Sequence, residues 1–261
     1  MPLHPSAAKP LVVIPAAGSS RRMGALTAHK PKSLLRVAGR PMLVMSLDLL
    51  ARAGLTHVVI VLGYQGRAIV DAIGTRHQSL QIEYAYNEDF ATTEHGYSLY
   101  CARNAWARRA QAGIVMLDAD SLYEPRLLRR ILDAKPADVI AVDSGFVADD
   151  RDEELVCAKD GQVMSLVRGR SVALDHYAGG FVGVNRFSPA FCAAMFDVME
   201  DLFTREGRGF KYERVFDRMV RKLGWQLCAI DCADLAWLNV NHPDDLHAAE
   251  RVAHMMLAPA T

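Results

Sequence analysis

Two stretches of this sequence carry side chains suited to holding a polyphosphate. The first is Val13-Ile-Pro-Ala-Ala-Gly-Ser-Ser-Arg-Arg-Met-Gly24, which continues the apolar run that starts at Leu11. Its small residues Ala16, Ala17, Gly18, Ser19 and Ser20 allow close backbone approach, and N–H groups in such a turn can cradle phosphate oxygens. Arg21 and Arg22 add fixed positive charge in the planar form that favours bidentate contact with phosphate. Eight residues past Gly24 stands Lys32, in the run His29-Lys-Pro-Lys-Ser-Leu-Leu35. A second cation there could reach an α-phosphate and the phosphate of an incoming acceptor. The spacing is neither the GxxxxGK[ST] of a P-loop nor the GxGxxG of a dinucleotide binder. Taken alone, the loop also reads as a surface turn that is basic by chance.

The second stretch is Ile114-Val-Met-Leu-Asp-Ala-Asp-Ser121, an apolar strand followed by Asp118 and Asp120. A two-residue spacing on extended chain points both carboxylates the same way. Mg²⁺ takes oxygen ligands and keeps substrate phosphates and waters in its shell. An Asx turn, or the cap of the helix that follows, explains the same pair without a metal.

The elements around these stretches must place them together. Strands are expected at 11–14, 57–62, 81–86, 113–117 and 139–142. Helices are expected at 42–53, 65–74, 96–111 and 127–132. Apolar strands alternating with helices predict an α/β fold with a Rossmann-like, doubly wound, mostly parallel sheet. In such a sheet ligands bind beyond the carboxyl ends of the strands, where both stretches fall. The second half predicts a hairpin, 154–158 with 162–167, turning at Asp160-Gly161, followed by Ala173 and strands 180–184 and 225–230. Helices are expected at 189–203, 212–223 and 243–256. The acidic run 149–154, DDRDEE, reads as a solvated turn. One domain is expected, with a nucleotide-binding half over about 10–145 and a β-rich, acceptor-binding half over about 146–261.

Composition narrows the partners. Thirty basic and thirty acidic residues cancel, so a broad basic field for nucleic acid is not expected. No apolar run approaches the length of a membrane span, and the first residues show no secretory h-region. Five dispersed cysteines without a CxxC pair suit a reduced, cytoplasmic setting. A homo-oligomer is left open.

Residues 16–43, AAGSSRRMG…KPKSLLRVAGRPML, resemble the signature of the nucleotidyltransferase superfamily that makes nucleotide sugars and related activated alcohols. The resemblance implies that Gly18, Arg22 and Lys32 contact a triphosphate, with Ala16 and Ala17 at the base. It also implies that Asp120 binds Mg²⁺, with Asp118 as a second candidate. The ending Trp237-Leu-Asn-Val-Asn-His-Pro-Asp-Asp-Leu246 resembles the closing motif of that family. It puts Asn241 in the metal shell, while His242, where Thr is usual, puts the local helix cap in doubt.

The segment Asn87 to Leu99 lacks the glycine-rich stretch of sugar-nucleotide makers and is similar to the choline-phosphate cytidylyltransferase branch. That carries over Asn87, Tyr97 and Ser98 as nucleotide contacts. The activity implied is transfer of CMP from CTP to a small phosphorylated alcohol such as phosphocholine. Inositol phosphate, aminoethylphosphonate, a sugar 1-phosphate or the molybdenum cofactor are alternative acceptors. A shorter loop before the lysine is usual in the molybdenum-cofactor branch, so residues 27–31 argue against the last of these. A choline head group wants aromatic faces and a carboxylate, for which Asp175, Tyr177, Tyr212, Glu213 and Trp237 are candidates, with Gly180 on the strand flooring the pocket. A non-catalytic nucleotide-binding module and a Rossmann oxidoreductase are the readings from other classes.

Overall fold

The computed structural model describes residues 9–109, 111, 113–147, 153–169 and 175–257. The first strand, β1 (Leu11–Ala16), leads into single-turn helical segments at Arg21–Thr27 and Lys32–Leu34 and a small hairpin, β2 (Arg36–Val37) with β3 (Arg40–Pro41). There follow α1 (Met42–Arg52), β4 (His57–Leu62), α2 (Gly66–Ile73), β5 (Arg76–His77) and β6 (Leu80–Tyr86). Next come α3 (His95–Cys101), α4 (Arg103–Ala107), β7 (Ile114–Leu117), β8 (Ser121–Tyr123), α5 (Pro125–Asp133) and β9 (Val139–Asp143). The rest comprises β10 (Glu154–Lys159), β11 (Gln162–Arg168), β12 (Tyr177–Phe187), α6 (Pro189–Glu206), α7 (Glu213–Leu223), β13 (Cys228–Asp231), β14 (Trp237–Asn239) and α8 (Asp245–Leu257).

Ten strands form one sheet in the order β10-β11-β13-β9-β12-β7-β1-β4-β6-β5. Its centre, β7-β1-β4-β6, is parallel. Strand β12 runs antiparallel between β7 and β9, so strands from both halves of the sequence share one sheet. Alternate residues of β1 serve opposite faces, as strand geometry requires. Val12, Ile14 and Ala16 pack towards α1, α5 and α8, whereas Leu11 and Val13 pack towards α3, α6 and α7. This is the expected α/β architecture, with helices on both faces.

Several boundaries differ from the sequence reading. The helix expected over 96–111 breaks at Ala102 into α3 and α4. Strand β12 is longer than expected, and β13 starts later than expected, at Cys228. Ala173 lies outside the described residues, as does most of the acidic run. No described helix is long and apolar enough to cross a membrane.

Candidate active site

Strands β1 and β7 pair in parallel, so the loops leaving their carboxyl ends adjoin. The β1 loop turns at Ser20, whose φ of 51° is left-handed. Ser20 accepts from the Met23 N–H at 3.0 Å and from the Thr27 hydroxyl at 3.2 Å. Met23 is buried in the core while its neighbours Arg21 and Arg22 stay exposed. The apolar anchor therefore fixes the turn and leaves both guanidinium groups at the cleft. Lys32 reaches the same space from the second helical turn and is only 8% exposed.

Asp118 and Asp120 leave β7 opposite these cations. Lys32 forms an ion pair with Asp120. The distant Asn241 is brought in by a small two-stranded sheet, β8 with β14. There the Ser121 hydroxyl donates to Asn239 Oδ1 at 2.6 Å and the Val240 N–H to the Asp120 carbonyl at 3.0 Å. Asn241 Oδ1 then accepts from Arg22 Nη2 at 3.1 Å and from Lys32 Nζ at 3.4 Å. Asp245, the first residue of α8, reaches back so that its Oδ2 accepts from the N–H groups of Asn241 and His242, each at 2.7 Å, which fixes the chain entering the helix.

These groups face a cleft of about 690 Å³. Among the nucleotide candidates, Ala16, Gly18, Ser19 and Ser20 line it. Ala17 is buried beneath it, its carbonyl accepting from the Tyr64 N–H at 2.9 Å. Asn87 and Ser98 sit behind the wall. The Asn87 amide donates to Ser98 Oγ and to Thr93 Oγ1, both at 3.0 Å, and it is Thr93 that faces the cleft. Tyr97 lies under the Arg208 guanidinium at 4.3 Å, outside the lining.

Of the acceptor candidates, only Glu213 lines the cleft. Tyr212 is fully buried and donates to Asp118 Oδ1 at 2.6 Å, so its ring floors the site without opening onto it. Trp237 donates to Asp143 Oδ2 at 2.8 Å, Tyr177 donates to the Phe146 carbonyl, and Gly180 is covered by the Phe146 ring. Asp175 is exposed on a turn. These four are not brought together with the cations.

Other residues the sequence did not single out do line the cleft: Glu94, His95, Glu154, Lys211 and Asn239. Glu154, read as the end of a solvated acidic turn, is ion-paired to Lys211 at 2.8 Å. Asn239 lies within the closing motif, which assigns it no role, and Glu94 and His95 fall in the polar run Asn87 to Leu99. No motif marks Glu154 or Lys211.

The electrostatics divide along the cleft. Asp118 is pushed up to about 7, first by desolvation and then by the neighbouring charge of Asp120. His95 is pushed down to about 3, chiefly by desolvation and then by Lys211, which keeps its ring neutral. Burial raises the Glu213 carboxyl well above the usual range, with Glu154 adding to the effect. Asp118, Asp120 and Asn241 present only oxygen donors towards the loop cations, a set suited to a hard divalent ion that shares phosphate oxygens.

Residues 12–183 match the model of the MobA-like NTP transferase domain. The CMP-5'-(3-aminopropyl)phosphonate synthase of Streptomyces rubellomurinus is 30% identical over 258 residues, which cover 94% of this chain and 39% of that protein. The bifunctional IPC transferase and DIPP synthase of Aquifex aeolicus is 24% identical over 239 residues, covering 92% and 50%. The chain thus spans half or less of the length of these two relatives. Among solved structures, the inositol-1-phosphate CTP transferase of T. maritima superposes with a TM-score of 0.75 at 16% identity, covering 98% of this chain and 99% of that one. The CTP:phosphocholine cytidylyltransferase of Streptococcus pneumoniae gives 0.73 at 15%, covering 94% and 99%. At such identities these structures establish the fold alone.

Proposed function

The chain belongs to the MobA-like NTP transferase family, and on that premise we propose that it transfers CMP from CTP to a small acceptor carrying a phosphate or phosphonate, releasing pyrophosphate. The observation that supports this reading is the convergence of Arg22 and Lys32 on Asn241, with Lys32 also paired to Asp120, at the mouth of one polar cleft. The relative named for a CMP-phosphonate product favours cytidine over the other bases. The five cysteines are free, which suits the cytoplasmic setting we propose.

In this reading an acceptor oxygen attacks the α-phosphorus in line. The bond from that phosphorus to the bridging oxygen breaks, and pyrophosphate leaves with the electron pair. The nucleophile is already an anion, so no side chain has to be activated. The chain's task is positioning and charge neutralisation. Arg22, fixed by the buried Met23, lies along the leaving pyrophosphate. Lys32 spans the α-phosphate and the attacking oxygen, held in line by Asp120 and Asn241. We assign Asp120 and Asn241, with Asp118 behind them, as the residues that would hold Mg²⁺. When bound, the ion would neutralise phosphate charge and fix its oxygens. Asp118 keeps its orientation through the Tyr212 hydroxyl.

The test is a pyrophosphate-release screen that crosses CTP, GTP, UTP and dTTP with phosphocholine, inositol phosphate, aminoethylphosphonate and sugar phosphates. Release with CTP and one phosphorus-acid acceptor is expected. Nucleotide binding without release from any pair would replace this reading with a non-catalytic nucleotide-binding module.

A further inference from the structure

Resting on the transferase reading, we infer that the end of the acceptor far from its phosphorus is a primary ammonium group, and that Glu213 receives it. The cleft is polarised. Arg21, Arg22 and Lys32 line it around Asn241 and Asp120, while Glu94, Glu154 and Glu213 line it around Lys211 and His95. Within the acidic end, Glu154 already has partners. Its Oε1 lies 2.8 Å from Lys211 Nζ and 3.5 Å from Arg168 Nε.

Glu213 differs. Its side chain is 6% exposed, the residue lines the cleft, and its Oε2, itself buried just behind that lining, has no hydrogen-bond partner among the described residues. The nearest ring nitrogen, His95 Nε2, is 3.9 Å away, beyond hydrogen-bond reach. A buried carboxyl oxygen without a partner is costly, and burial raises this group against ionisation; a ligand bringing N–H groups and positive charge supplies the partner and favours the ionised form.

The choice between ammonium types follows from what surrounds Glu213. A primary ammonium offers three N–H donors, whereas a trimethylammonium offers none and depends on aromatic faces. Phe90 and Phe181 are the aromatic residues among the described cleft lining, with no Tyr or Trp, and Phe90 packs edge-on against Tyr64 beside the β1 loop. Tyr212 is fully buried with its hydroxyl committed to Asp118, and Trp237 is turned to Asp143. Residues 148–152 and 170–174 include no Phe, Tyr or Trp. The acidic end therefore lacks an aromatic cage and has an unpaired acceptor oxygen. A zwitterion fits the polarity of the whole cleft, with phosphate or phosphonate towards Lys32 and ammonium towards Glu213.

The experiment compares phosphoethanolamine, phosphocholine and ethyl phosphate, which share a two-carbon phosphate ester and carry a primary ammonium, a trimethylammonium and no nitrogen at its far end. 2-Aminoethylphosphonate separates the phosphonate source from the phosphate one. Acceptor binding is measured by calorimetry alongside pyrophosphate release from CTP, in the wild type and in Glu213→Gln. The expected result is a preference of about ten- to a hundredfold for the ammonium acceptors over both phosphocholine and ethyl phosphate. In Glu213→Gln the ratio of phosphoethanolamine to ethyl phosphate falls towards one through the acceptor KM. Equal binding of the three esters by the wild type, or a ratio unmoved by Glu213→Gln, overturns the inference. Release of pyrophosphate with such indifference leaves the transferase reading standing alone. Selective ammonium binding without pyrophosphate release supports the ammonium site and sinks the transferase reading instead. The wild-type comparison decides even if the variant does not fold.

Discussion

The two ends of the cleft are built on different plans. The cationic end comes from one continuous stretch. The β1 loop and the turn at Lys32 lie within 25 residues of sequence, and a single anchor, Met23, sets the arginines. The acidic end is assembled from the start of α3, the start of β10 and the start of α7 with Lys211 just before it. Its charges sit in less water, as the raised Glu213 carboxyl and the lowered His95 ring record. A rigid, local end suits a substrate part that never varies, the triphosphate. A composite end suits the part that distinguishes one relative from another.

If the cationic end carries the chemistry, Lys32→Ala makes the largest difference. Removing one positioned donor to developing charge costs about 10²–10³ in kcat. Thermal unfolding should stay close to wild type, because Lys32 packs at the cleft wall and not in the core. Unchanged turnover would end the role proposed for Lys32. Next comes Asn241→Ala, which removes the oxygen shared by Arg22 and Lys32. Loss of such charge-assisted bonds costs about 2 kcal/mol, roughly thirtyfold in kcat/KM. Mg²⁺ titration should show a weaker apparent affinity, and an unaltered titration curve would remove Asn241 from the metal shell.

The same contrast explains what the sequence discloses. Contiguous elements are legible: the buried strands, the small-residue turn, and the aspartates leaving β7. Asn241 is legible as a candidate, but its route to Arg22 runs through β8 and β14, three residues each and too short to carry a periodic signal. The acceptor residues are the least legible. Tyr177 and Trp237 have the right chemistry for a choline pocket, yet packing turns them to Phe146 and Asp143. Lys211 and Glu154 look like ordinary surface charges until the hairpin brings them to one wall.

The boundary between the two ends runs through Asp118, and its titration sharpens the comparison. Its folded pKa, about 7, is raised above the unfolded value near 3.9. A group raised in this way contributes stability fully below the unfolded pKa and loses it as pH rises through the folded one. In chelator, Asp118→Asn should therefore unfold at a higher temperature than wild type at pH 8. The gain is on the order of a kcal/mol. The advantage should shrink towards pH 4, and a gap constant with pH would contradict the proposed desolvation of this carboxyl.

The smallest effect expected lies at Tyr64, which distinguishes a self-supporting loop from a clamped one. Its hydroxyl reaches the Thr27 and Ala28 carbonyls at 3.0 and 2.7 Å, so it holds the far side of the turn that carries Arg22. If Met23 alone orders the loop, Tyr64→Phe changes nothing. If the clamp matters, losing one hydrogen bond costs about 0.5–1 kcal/mol, read as a two- to fivefold rise in KM for CTP, roughly as RT requires. The acceptor KM should not move, because Tyr64 is remote from Glu213 and Lys211. A rise in both constants together would mean that the two ends are mechanically coupled, and the division of the cleft into separate halves would fail.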